Sequence, residues 1–235
     1  MDLEDIRTRC IEVHKAIKAM RNLDLSDPSI FTTLPFPSIL KMPSQRFKGG
    51  DINEFEYMGR SLFHELQRRI RAKGFQEGQE SLYLYGPSGA GKSHLLAALA
   101  YSLIQEGYRV FYIPDCAHLL LDPEATFWMA LNFAFCDTTN LETLVNRNNV
   151  KSMINFMSDC HDLYFIVDQV NALDSEENDN CRGKKEQVVT WLDALRYKDR
   201  YIFSASPNEA SNREADRKQS GISLFRVFGG MNKVC

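Results

Sequence analysis

The run Ser81-Leu82-Tyr83-Leu84-Tyr85-Gly86-Pro87-Ser88-Gly89-Ala90-Gly91-Lys92-Ser93-His94 decides how the rest of this 235-residue chain is read. Its first five residues form a short apolar run that stops at a glycine, as a buried strand does. Behind the glycines, Leu95, Leu96, Leu99 and Leu103 recur at the spacing of one helix face. Strand, glycine-rich loop and helix therefore follow in the order that a phosphate-binding loop requires, and the loop matches GxxxxGK[ST] in full. The competing reading is a glycine-rich turn that merely joins two elements.

Each fixed position has a chemical reason. Glycines let backbone amides turn inward around phosphate oxygens, and the following helix offers its positive N-terminus. Gly86, Pro87, Ser88, Gly89, Ala90, Gly91, Lys92, Ser93 and His94 are accordingly the candidate nucleotide-binding residues. Lys92 would hold the β- and γ-phosphates, and the Ser93 hydroxyl would go to Mg²⁺. The expected ligands are ATP, or another NTP, together with Mg²⁺.

Working outward, Arg109-Val110-Phe111-Tyr112-Ile113 reads as the next strand, halted by Pro114-Asp115. Helical stretches are expected over His118 to Phe135, interrupted near Pro123, and over Leu141 to Asp159. Leu163-Tyr164-Phe165-Ile166-Val167 is an unbroken apolar run, as in a parallel strand covered on both faces. A helix at Lys185 to Tyr197 and strands at Tyr201 to Ala205 and Ser223 to Phe228 complete the alternation. The fold class that follows is α/β: a doubly wound, mainly parallel sheet of the P-loop NTPase type, in three layers.

Ligands in such sheets sit at the carboxyl ends of the strands. Asp168 closes the apolar strand there and is a candidate Mg²⁺ ligand and catalytic residue beside Lys92. Gln169 follows where a carboxylate would serve as a base. An amide cannot take a proton, but it can orient water, so slow or partner-stimulated hydrolysis is expected. Ser204, Ser206 and Asn208 are candidates for sensing the γ-phosphate, with ordinary turn roles as the alternative. Asp115 is at least as well read as a turn residue, and the acidic run Asp174 to Asp179 as a solvated loop.

Upstream of the loop, Leu3 to Arg21 carries a loose helical stripe. Pro28, Pro35, Pro37, Pro43 and Gly49-Gly50 then discourage regular structure, and Phe55 to Lys73 has helical spacing at Met58, Leu62, Phe63, Leu66 and Ile70. The expected organisation is a helix and extended arm over residues 1–50 and a nucleotide-binding core over 51–235, cut short at its C-terminus.

A net charge of -3 and a pI near 6.0 give no global case for nucleic acid. The six cysteines are scattered without zinc-ligand spacing, and no run approaches the ~20 apolar residues of a membrane span. The acidic start lacks a secretory signal, so a cytoplasmic or nuclear location is expected. Partners are then the nucleotide and a protein partner or a second copy.

Three stretches taken together, Tyr85 to His94, Tyr112-Ile113-Pro114-Asp115-Cys116 and Phe165-Ile166-Val167-Asp168-Gln169-Val170-Asn171-Ala172-Leu173, resemble the NTPase domain of Crinkler-type and retrotransposon-hot-spot-like proteins. The resemblance runs from about Phe47 to about Ser206. It implies an NTPase module that is often joined to a nuclease-like domain, in proteins regarded as effectors that enter host cells. The ubiquitin-like header and the nuclease of that family have no counterpart in these residues. An NTPase without them is expected, with a non-hydrolysing nucleotide-dependent binder and the ATPase part of a DNA-processing protein as alternatives.

Overall fold

The computed structural model describes residues 2–21, 23–47, 53–72, 81–173, 182–196, 200–205 and 222–227. Helix α1 (Leu3–Ala19) is followed by strands β1 (Phe31–Pro35) and β2 (Glu54–Met58) and helix α2 (Ser61–Ile70). The phosphate-loop unit is β3 (Ser81–Tyr85), α3 (Lys92–Gln105) and β4 (Arg109–Ile113). Helices α4 (Cys116–Leu119), α5 (Pro123–Ala134), α6 (Leu141–Leu144) and α7 (Val150–Ser158) then lead to β5 (Leu163–Val167). Helix α8 (Arg182–Arg196) precedes β6 (Tyr201–Ser204), and β7 (Ile222–Arg226) comes last.

Strands β3 to β7 form one sheet in the order β4-β5-β6-β3-β7, with every pairing parallel. Side chains along a strand alternate between faces, and here both faces are apolar. Leu82, Leu84, Val110, Tyr112, Tyr164, Ile166 and Ile202 point into a core shared with α1, α2 and α3. Tyr83, Phe111, Ile113, Leu163, Phe165, Val167, Tyr201 and Phe203 point the other way, into a core shared with α4 to α8. A sheet buried on both sides needs two helical layers, so the three-layer α/β/α class follows. Every residue of β5 is buried, and each large side chain there contributes about 1.5–3 kcal/mol.

The helix behind the loop is more enclosed than one apolar stripe implies. Every residue of α3 from Leu95 to Ile104 is buried, because α1 and α2 cover its outer side. A helix apolar all round is a core helix.

Two upstream expectations change. Residues 54–58 are a strand, although they fall in a stretch with helical spacing further on. Phe55 and Tyr57 are buried while Met58 is exposed, a period of two hidden within a longer run of period 3.6. The proline-rich segment supplies its partner: β1 pairs antiparallel with β2, from Phe31↔Met58 to Pro35↔Glu54. Pro35 falls at the end of its strand, where a missing donor costs little. The single stretch expected over Leu141 to Asp159 is also two helices, α6 and α7. Asn149 forms the break by capping α7 through Ser152 N at 3.1 Å.

Candidate nucleotide site

The loop has the backbone that phosphate binding needs. Gly89 and Gly91 sit at φ 77° and 82°, the left-handed region that side chains rarely adopt. A Cβ on Gly91 would also crowd Arg60 Nη1, the far end of a flexible side chain, so it is the positive φ that calls for glycine there. Gly86 (φ 149°) is pressed from the far side, where an added Cβ would meet the Val227 carbonyl at 2.1 Å. That close approach follows from Val227 N donating to Tyr85 O at 2.7 Å, one residue beyond β7.

Helix α3 begins without a side-chain cap. Asp2, Asp122 and Asn149, by contrast, cap α1, α5 and α7 with their own side chains. The first-turn N–H groups of α3 are therefore left for the loop to direct at an anion.

Lys92 is buried, and its Nζ donates to Gly86 O at 2.7 Å and Pro87 O at 3.0 Å. Burial pulls its pKa down and Asp168 opposes that shift. Asp168, at the end of β5, is fully buried. Its Oδ1 accepts from Ser204 Oγ, and the Ser93 hydroxyl lies close enough to the carboxylate to favour its charged form. Burial raises the Asp168 pKa, while these hydroxyls, Arg46 and the Gln169 N–H hold it down. Oδ2 has no hydrogen-bond partner. A buried carboxylate oxygen without a donor is costly, and Oδ2 together with the Ser93 hydroxyl offers the hard oxygen ligands that Mg²⁺ prefers. The residues present fit that ion.

The structure brings the sequence candidates together. Ser88, Gly89, Gly91, Lys92 and Ser93 line a cleft of about 320 Å³ that Gln169 and His94 also face. Gly86 and Pro87 meet Lys92 through their carbonyls, and buried Ala90 gives its carbonyl to Arg60 Nη1 at 2.7 Å. Gln169 has φ 63°, uncommon for a residue with a side chain. The His94 ring packs on Phe47 with centroids 4.7 Å apart, and burial lowers its pKa. Asp115 caps α4 by accepting from Ala117 N at 2.9 Å, the turn role foreseen for it. Ser206 and Asn208 lie outside the described residues, as does the acidic run 174–179.

Sequence reasoning missed two arginines. Arg60 braces the loop through Ala90. Arg46, from the proline-rich arm, reaches Asp115 Oδ2 at 3.3 Å and Pro114 O at 3.2 Å, and its Nη1 lies 3.9 Å from Asp168 Oδ2. Neither carries a local signal, because its meaning depends on a partner distant in sequence.

One comparison with known proteins, a family match, agrees with this geometry at the level of the ligand. Residues 38–124 match a described family. It is that of the IstB-like ATP binding protein. The matched span holds the whole phosphate loop and Arg46 and ends before Asp168. Among solved structures, AMPPCP-bound DnaA from Aquifex aeolicus is similar, with 19% identity, a TM-score of 0.39, and coverage of 70% of this chain and 46% of that one. This chain thus spans less than half the length of that protein. No curated protein matches. Loop, sheet and matched family together make this a nucleotide-binding domain of the P-loop NTPase type. Among the described residues no helix is long and apolar enough to cross a membrane.

Proposed function

We propose that the chain is a Mg²⁺-dependent ATPase module with slow or partner-stimulated turnover. The observation that carries this reading is the meeting of Ser93, from the start of α3, with Asp168, from the end of β5, where Asp168 Oδ2 has no hydrogen-bond donor. A bound Mg²⁺ would draw negative charge from the phosphates and help orient them. Lys92 exchanges the carbonyls of Gly86 and Pro87 for β- and γ-phosphate oxygens, and the loop amides hold the same oxygens. Ser204 fixes the Asp168 carboxylate through Oδ1 and leaves Oδ2 without a donor, open to a cation. Gln169 borders the cleft and orients the attacking water without accepting its proton. With an amide rather than a carboxylate at residue 169, turnover should be slow.

One observation favours a second reading, a binder that does not hydrolyse. The residue after the Asp168 carboxylate is an amide, Gln169. The resemblance to Crinkler-type proteins gains no support from the matched family, and the effector role is not carried into this proposal.

Replacing Lys92 by Ala should abolish nucleotide binding, measured by equilibrium titration with Mg·ATP; unchanged affinity would overturn the assignment. Phosphate release in a single-turnover experiment with excess wild-type chain separates the two readings. Release above the uncatalysed rate excludes the pure binder, and its absence excludes turnover by the chain without a partner.

A further inference from the structure

We propose that Arg46 reads the terminal phosphate of the bound nucleotide, so that the arm carrying it distinguishes a nucleoside triphosphate from a diphosphate. This rests on the nucleotide-binding reading above and adds to it a residue from outside the phosphate loop.

The position of Arg46 is built. Its backbone lies in a turn where Arg46 N and Phe47 N both donate to Pro43 O, at 3.0 and 3.1 Å. Phe47 is 3% exposed and packs its ring on Phe36, Phe55 and His94, with centroids 5.2, 5.5 and 4.7 Å away. His94 adjoins Ser93 on α3, so the anchor of the arm touches the helix that carries the phosphate-binding lysine. From this fixed point the Arg46 side chain, about 25% exposed, enters the cleft lined by Ser88, Gly89, Lys92, Ser93 and Gln169.

Its contacts there are incomplete. The fork bonds Pro114 O and Asp115 Oδ2, but at 3.9 Å its approach to Asp168 Oδ2 is an ion pair without a hydrogen bond. A divalent cation on Oδ2 would place a second positive charge beside the guanidinium and weaken that attraction. The guanidinium then has a better partner on the other wall of the cleft. A terminal phosphoryl group presents oxygens that a guanidinium binds bidentately, whereas a diphosphate ends one group short. The competing account makes Arg46 a strap that only ties the arm to the sheet through Asp115. The two accounts differ in whether Arg46 affects the choice between nucleotides.

The test is an equilibrium titration of the full chain with fluorescent ATP and ADP analogues in Mg²⁺. Arg46→Ala should weaken ATP binding about tenfold and leave ADP within about twofold, so that the affinity ratio collapses. Arg46→Lys, which keeps the charge and loses the fork, should lower the ratio partway. Asp115→Asn, which weakens the strap alone, should leave the ratio as in the wild type. Equal losses for ATP and ADP in Arg46→Ala, or no loss for either, would overturn the inference. Should circular dichroism show that Arg46→Ala does not fold, an unchanged ratio in Arg46→Lys overturns it equally. A wild-type chain that binds neither analogue refutes the phosphate-loop reading itself, which is distinguishable from a variant that still binds ADP but no longer prefers ATP.

Discussion

Strand β4 has charge at both ends, and the two ends treat it in opposite ways. At its start, Arg109 donates to both oxygens of Asp137 at 2.6 and 3.0 Å and to Ala134 O at 3.2 Å. Its Nε lies 3.4 Å from Asp162 Oδ2, and its guanidinium stands 4.7 Å over the Phe135 ring. Beyond its other end, Asp115 and the neighbouring Asp168 share one arginine, Arg46, and Asp168 Oδ2 is left without a donor in full burial. The first cluster is near water and saturated, which is how structural charge is kept cheaply. The second is dry and under-coordinated, a cost that folding alone does not require. Sheet polarity puts the second cluster at the carboxyl ends of the strands, beside the loop.

Replacements at the two ends should therefore change different observables. Asp168→Asn should have the largest effect, removing the Mg²⁺-dependent gain in nucleotide affinity by about a hundredfold, or ~2.7 kcal/mol. The same change should raise the stability of the nucleotide-free chain by ~0.5–2 kcal/mol, because it removes a buried charge. Titrations with and without Mg²⁺, beside denaturant unfolding, read the two effects; lower stability together with intact Mg²⁺ dependence would erase the contrast. At the other end, Arg109→Ala should cost ~1–2 kcal/mol of stability, through lost packing on Phe135 as well as lost charge, and leave nucleotide affinity unchanged.

The smallest effect belongs to His14, which faces the Arg109 cluster from α1. Its Nε2 lies 3.0 Å from Phe133 O, and its ring centroid is 4.6 Å from that of Phe133. Burial lowers its pKa, helped by Lys18 and Arg109 and opposed by the Phe133 carbonyl and Asp137. A histidine whose folded pKa is depressed binds fewer protons folded than unfolded. Its contribution is thus complete above the ordinary value of about 6.5 and declines as pH falls from there towards the lowered folded value. His14→Gln should flatten this part of the stability profile by up to ~1 kcal/mol between pH ~7 and ~5 in urea melts.

The sequence was most legible where a property is local. The five apolar residues of β5 and the spacing from Gly86 to Ser93 each carry their own physical reason, and the structure places them as strand and loop. Phe55 and Tyr57 were misread because a five-residue strand, β2, runs almost directly into a helix whose stronger period swamps it. Arg46 was invisible for a deeper reason. It meets Asp115 across 69 residues, from a segment whose prolines announce only that it is irregular. Likewise, that Ser204 would hold Asp168 depends on β6 lying between β3 and β5, a neighbourhood set by the whole sheet.

The contact between Gly86 and the Val227 carbonyl has a consequence for timing. The ribosome makes the phosphate loop about 140 residues before its buttress, so a nascent chain carries the complete motif well before the backbone that presses it into shape. Nucleotide capture should accordingly appear only after β7 has been made and joins the edge of β3. The ligand then becomes a reporter of completed folding.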